Sequence, residues 1–292
     1  MLWVPITLLA SILQVARNAT QSGLVDRIGT LGATQVRFLF GLPFAVLFLI
    51  AAALLLEPVP ALTGAALGWV TLGSVAQIGA TALMLAAMRA RGFAAATALI
   101  KTEPVMLALI GLVVLGDALG PAQLGAIVVA TLGTLMMTLQ PGRRLAPVPV
   151  LLALGSGFLF GLAAIGFRGS IIALPEGGFV IRATTMLVVS LAIQTAILTL
   201  WLALFDRAAL IGSFRAWRPS VVAGFLGAAG SQCWFMGFAL TAAANVRTLA
   251  LVEIVMARAV SGRLFAERTS PREWVGMAMI AAGVGALLML AA

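Results

Sequence analysis

The chain has 292 residues, 62% of them hydrophobic and 9% charged, with a formal net charge of +9 and a mean hydropathy of +1.15. A soluble domain carries about 25% charged residues, so this composition excludes a water-facing surface and implies an integral membrane protein with the lipid bilayer as its partner. With no histidine and one cysteine, Cys233, the chain also excludes an internal disulfide and a structural zinc site of the Cys/His kind.

Ten apolar runs fall at about 3–22, 31–56, 62–88, 93–116, 119–139, 148–174, 178–205, 220–241, 244–265 and 272–291. Each is long enough to cross a core of roughly 30 Å at 1.5 Å per residue, so ten transmembrane helices are expected. The first run lacks the basic n-region of a signal peptide and reads as a spanning helix. Its Ser11, Gln14, Asn18 and Gln21 recur at one-face spacing. Lipid cannot satisfy amides, so this stripe faces protein or a wet cavity. An interhelical hydrogen bond returns only about 0.6 kcal/mol on average, which favours cavity lining for Gln14 and Asn18. Arg17 lies near the end of this run and Arg37 in the second. The third run repeats the polar theme with Ser74, Gln77 and Thr81. Gln77 is a cavity candidate, with plain packing as the alternative.

The fourth run carries Lys101, the only lysine, and Glu103 directly before Pro104. Charge at a helix centre costs about 2.5–3.5 kcal/mol per residue on insertion scales, so each must be paired or functional. Two residues apart, they point to opposite sides of the helix and cannot pair with each other. Arg17 and Arg37 are candidate partners for Glu103; a cavity or Glu253 is the candidate for Lys101. Glu103 reads equally well as a structural ion pair. A lone ammonium such as Lys101 is suited to holding a carboxylate as a point charge. Pro104 frees a backbone carbonyl near Ile100 and allows a kink.

The sixth run offers Phe158, Phe160, Phe167 and Arg168, and the seventh Arg182. In the eighth, Ser231, Gln232, Trp234, Phe235 and Phe238 combine hydrogen bonding with aromatic surface, as a lining for an apolar or aromatic ligand would. The ninth holds Arg247 and Glu253. Trp3, Trp69, Trp201 and Trp217 sit near run ends and read as an interfacial belt. Gly64/Gly68, Gly116/Gly120 and Gly157/Gly161 read as close helix packing. Nothing resembles a phosphate-binding loop, so ATP is not an expected energy source. Nor are His, Asp or Glu clustered for acid–base or metal chemistry, so no catalytic residue, metal or cofactor is expected and a membrane-embedded enzyme is disfavoured.

Connections after odd-numbered runs hold Arg27, Arg89, Arg91, Arg143, Arg144, Arg207, Arg215, Arg218, Arg263, Arg268 and Arg272; those after even-numbered runs hold Glu57, Asp117 and Glu176 and no arginine. The scattered arginines thus read as positive-inside anchors, not as a nucleic-acid surface. The bias places the odd connections in the cytoplasm and both termini on the other side.

The chain also repeats. Glu103 matches Glu253, Asp117 matches Glu267, Pro121 matches Pro271 and Gly133 matches Gly283, all 150 residues apart. Arg37 and Arg182 share similar surroundings, and Arg17 has a rough counterpart in Arg168. Two halves of five helices follow, 1–140 and 148–292, joined by a short linker at 141–147. An odd number of spans per half inverts the second copy, a pattern typical of transporters.

These pieces resemble the EamA repeat of the drug/metabolite transporter superfamily: an arginine in the second helix, a mid-helix Glu (Glu103-Pro104, Glu253), and a short charged turn. That turn is Leu115-Gly116-Asp117 in one half and Phe265-Ala266-Glu267 in the other. It is followed by Pro and a Gly-rich last helix. Ile254 stands where the first copy has Pro104, and Asp117 replaces the usual Glu. Length, helix number and low charge are most similar to bacterial exporters of aromatic amino acids. The resemblance implies an all-α inner-membrane secondary transporter with a central cavity. It also implies a small amphipathic substrate, an amino acid or similar metabolite, with sugars, nucleotide conjugates and drugs as alternatives. Gln14, Asn18, Gln77, Lys101, Ser231, Gln232 and Trp234 are then expected at the substrate, and Arg17, Arg37, Glu103, Arg168, Arg182 and Glu253 in gates or the charge network. Oligomeric state is open, and a monomer is compatible.

Overall fold

The computed structural model describes residues 1–91, 99–138, 147–255 and 270–290; side chains at 18–19, 21–23, 25–27, 30, 85, 88–91 and 138 lie outside that description. Arg143, Arg144, Arg263, Glu267 and Arg268 fall outside it as well. Among the described residues the chain is all helical, with eleven helices. These are α1 (Trp3–Leu39), α2 (Gly41–Leu55), α3 (Gly64–Arg91), α4 (Glu103–Val114), α5 (Pro121–Thr138), α6 (Pro147–Ile172), α7 (Phe179–Phe205), α8 (Arg207–Arg215), α9 (Trp217–Leu240), α10 (Ala243–Leu249) and α11 (Pro271–Leu290).

Local sequence explains the boundaries. Pro121, Pro147 and Pro271 open α5, α6 and α11, where the missing N–H costs nothing. Ser270 and Glu273 exchange backbone hydrogen bonds as a capping box for α11. Thr63 Oγ1 accepts the Ala66 N–H at 3.1 Å and starts α3, and Asp206 Oδ1 accepts the Ala209 N–H at 3.0 Å and starts α8. α1 is broken at Gly29, whose φ of 70° strongly favours a residue without Cβ. This is the connection that the sequence predicts after the first run.

Among the described residues, six helices are long and apolar enough to cross a membrane: Leu31–Leu55, Gly64–Met84, Pro147–Ile172, Phe179–Phe205, Trp217–Leu240 and Pro271–Leu290. The first combines the end of α1 with α2. Trp3–Arg17, Glu103–Val114 and Pro121–Met137 are shorter apolar helices. The ninth expected span begins with α10 and leaves the described residues after Val255. The protein is thus a multi-pass helical membrane protein.

The chain packs as two compact units, and each draws on both sequence halves. One unit comprises 2–75 and 166–240. Its helices meet at glycines. A Cβ on Gly224 would lie 2.5 Å from the Phe40 backbone, one on Gly166 2.6 Å from Gly73 N, and one on Gly169 2.8 Å from the Trp69 ring. Trp69 is therefore packed against α6 and half-buried, whereas Trp3 is buried and offers no ring to an exposed belt. Trp201 and Trp217 are exposed as expected. Ser74 Oγ donates to Ser190 Oγ at 3.2 Å; this serine serves helix packing. Leu24, Ala33, Val36 and Ala223 form a local core.

The other unit comprises 76–165 and 241–292, with Met1. Here α5 and α11 run antiparallel at backbone distance. A Cβ on Gly133 would lie 2.6 Å from Gly276 O, and one on Gly283 would lie 2.6 Å from Ala126 O. The two contacts are reciprocal, since 126 and 133 lie 150 residues before 276 and 283. Gly157 and Gly161 pack on the backbones of Ile100 and Leu107, as their spacing suggests, whereas Gly64 and Gly68 face open space and Gly116 serves a turn at φ +66°.

Candidate functional site

The helical run leading into α4 ends at Ile100, turns through Lys101 and Thr102, and resumes at Glu103. Pro104 has no N–H to give the Ile100 carbonyl. That carbonyl instead lies 3.1 Å from where a Gly157 Cβ would stand. Thr102 Oγ1 donates to Leu99 O at 2.7 Å and steadies the turn.

A second break occurs beside Glu253. α10 ends at Leu249, Ala250 and Leu251 form a turn, and helix resumes at Val252. Leu251 N–H donates to Thr248 O, Glu253 N–H to Ala250 O and Ile254 N–H to Leu251 O, at 3.0–3.1 Å. These are three-residue spacings, tighter than an α-helix. The second break forms although Ile254 stands where the first copy has Pro104.

The two breaks bring their charges together. Lys101 Nζ pairs with Glu253 Oε1, and Arg247 Nε lies 3.2 Å from Glu103 Oε1. Each carboxylate is thus matched by a cation from the other sequence half, and the four charges sum to zero. All four side chains are at most 20% exposed. At such burial, deleting one partner strands its mate, at a cost of about 3–5 kcal/mol. The Oε2 of Glu253 is buried with no hydrogen-bond donor among the described residues. Of the two partners that the sequence leaves open for Lys101, a cavity or Glu253, the structure gives Glu253. For Glu103 it gives Arg247, where Arg17 and Arg37 were expected. Arg247 is the residue that sequence reasoning missed; the insertion-cost logic applied to Lys101 singles it out equally well, six residues before Glu253.

Gln77 lies in the same unit, half-buried on α3, with its backbone carbonyl accepting from Thr81 Oγ1 at 2.8 Å. The remaining candidates lie in the unit of 2–75 and 166–240. Arg17 and Arg37 pass over the same glycine, their side chains 3.6 and 3.2 Å from a Gly227 Cβ position. Gln14 lies by Gly230, while the Asn18 side chain is outside the described residues. Gln232 Nε2 donates to Thr184 Oγ1 of α7 at 2.7 Å; its Oε1 is buried without a donor among the described residues. Ser231 is buried. Trp234 stacks on Phe238 with centroids 6.5 Å apart, and Phe167 meets Phe235 at 4.7 Å. Arg168 Nη1 donates to Phe238 O at 2.6 Å, and Arg182 lies beside Gly177 at the start of α7. Phe158, in the other unit, is exposed.

No family model and no curated relative matches the chain. One solved structure to which it is similar, described only as a crystal structure of a protein, superposes with a TM-score of 0.71 at 16% identity. The match covers 99% of this chain and 97% of that one. At such low identity the likeness speaks for architecture and not for activity: over almost its full length the chain shares the fold of a solved protein.

Proposed function

We propose that the protein is a secondary transporter of small amphipathic metabolites, amino acids first, exported across a bacterial inner membrane by alternating access. The observation that carries this reading is the pair of broken helices, each bearing a carboxylate held by a cation from the other half of the sequence. Discontinuous helices are costly in a bilayer, and transporters use them where substrate or coupling ions bind. The reciprocal contacts of Gly133 with Gly276 and of Gly283 with Ala126 support ten spans in two inverted five-helix repeats of the EamA kind. Both termini then face away from the cytoplasm.

In this reading Lys101 exchanges partners. A substrate carboxylate takes the ammonium from Glu253, and the released Glu253 is repelled, which loosens the turn at Ala250–Leu251. Gln77, in the unit of Lys101, supplies a further hydrogen bond to the substrate; Gln14, Asn18, Ser231, Gln232 and Trp234 give the other unit amide, hydroxyl and aromatic groups suited to such a substrate. Arg17, Arg37, Arg168 and Arg182 hold gate positions. No cofactor or metal is required.

The test is flux of radiolabelled amino acids in proteoliposomes, with and without an imposed pH gradient. Saturable transport of aromatic or large neutral amino acids is expected, and a gradient effect decides between proton exchange and uniport. Absence of flux across the panel overturns the amino-acid assignment and directs the search to sugars, nucleotide conjugates and drugs.

A further inference from the structure

The longest connection between spans folds into α8, a helix of nine residues from Arg207 to Arg215. One side of it is buried: Ala209 and Ser213 face inward, and a Cβ on Gly212 would meet Ile28 of α1 at 2.8 Å. Arg207, Ala208, Ile211, Phe214 and Arg215 are exposed. At 100° per residue these positions share one arc of about 120°. Trp217 and Arg218, where α9 begins, are exposed beside them, with the Arg218 guanidinium 5.5 Å from the Trp217 ring centroid.

Large apolar chains and arginines therefore occupy the same face. Ile211, Phe214 and Trp217 are each more than half exposed, a poor arrangement against bulk water. The end of α7, which directly precedes α8 in the chain, also exposes Trp201, Leu204 and Phe205, which belong to a helix long and apolar enough to cross a membrane. A face that mixes aromatic and aliphatic chains with arginine fits the boundary between acyl chains and headgroups, where the guanidinium groups reach phosphates. Charge supports an anionic partner. Asp206 is the only acidic residue between Glu176 and Glu253, and its carboxylate is occupied in capping α8.

We propose that the outer face of α8, with Trp217 and Arg218, is a docking surface for anionic phospholipid headgroups. Arg207, Arg215 and Arg218 contact the phosphate layer while Ile211, Phe214 and Trp217 enter the acyl boundary. The site is independent of the transport reading, since it rests on the connection and not on the charges of α4 and α10.

Native mass spectrometry of the full chain in detergent, titrated with phosphatidylglycerol or phosphatidylcholine, tests it. Wild type is expected to retain phosphatidylglycerol preferentially. Each of R207Q, R215Q and R218Q is expected to lower that retention about fivefold, with phosphatidylcholine unchanged. I211S/F214S is expected to lower retention of both lipids. Equal retention of the two lipids by wild type overturns the proposal. So does an undiminished preference in the three single variants, which remain informative should a triple variant fail to fold. Displacement of phosphatidylglycerol by millimolar inorganic phosphate assigns the surface to a free anion and also overturns it.

Discussion

Lys101 and Glu253 form a pair whose two possible roles give different mutational signatures. Lys101→Met leaves Glu253 buried without its cation, so the variant is expected to insert but to unfold at lower temperature and to lose transport. A stranded buried carboxylate costs about 3–5 kcal/mol. The double variant K101M/E253Q removes both charges and is expected to recover thermal stability without recovering flux. Full flux in the double variant, measured in the same proteoliposomes, makes the pair structural. The cost of these charges was legible in the sequence, because one lysine in so apolar a chain has to be accounted for. The partner of Glu103 was not. Spacing along one helix rules out a neighbour but cannot choose among distant arginines, and Arg247 lay hidden by its nearness to Glu253.

At the level of the helix, proximity rather than composition distinguishes one glycine from another. Gly133→Leu and Gly283→Leu force apart α5 and α11, where a single carbon already meets a carbonyl at 2.6 Å. Overpacking of this kind costs about 1–3 kcal/mol, which lowers the melting temperature by several degrees, at about 2–4 °C per kcal/mol in a chain of this size. Gly68→Ala, which meets nothing within 4 Å, is expected to leave it unchanged or raise it. Thermal unfolding of the three variants in detergent checks the contrast. The small-residue spacing in the sequence marks Gly64/Gly68 and Gly157/Gly161 alike, yet only the second pair has a neighbour. Such a pattern records permission for close approach, not the presence of a partner. The break before Glu103 was legible from Pro104; the break beside Glu253 was not, since no proline or glycine announces it.

Over the whole molecule, the halves expected from the sequence and the packing divide the chain differently. The halves 1–140 and 148–292 are a matter of sequence similarity, while each compact unit takes segments from both. Fragments 1–143 and 144–292 are therefore expected to co-purify when expressed together, through α5 with α11 and the two ion pairs. Each alone is expected to be degraded. Pull-down of the untagged fragment by its tagged mate reads the result, and independent accumulation of both fragments refutes it. The apolar runs made the multi-pass helical character legible, because hydrocarbon demands length and apolarity together. The interleaving of segments stayed hidden, because periodicity describes each helix and not its companions.

The cross-half pairing also sets a timetable. Lys101 and Glu103 leave the ribosome about 150 residues before Glu253, roughly ten to thirty seconds earlier at ordinary synthesis rates. During that interval both charges are without the partners they keep in the finished protein. The nascent segment around α4 therefore has reason to linger at the insertion machinery, in a wet or shielded setting, until α10 emerges to neutralise it.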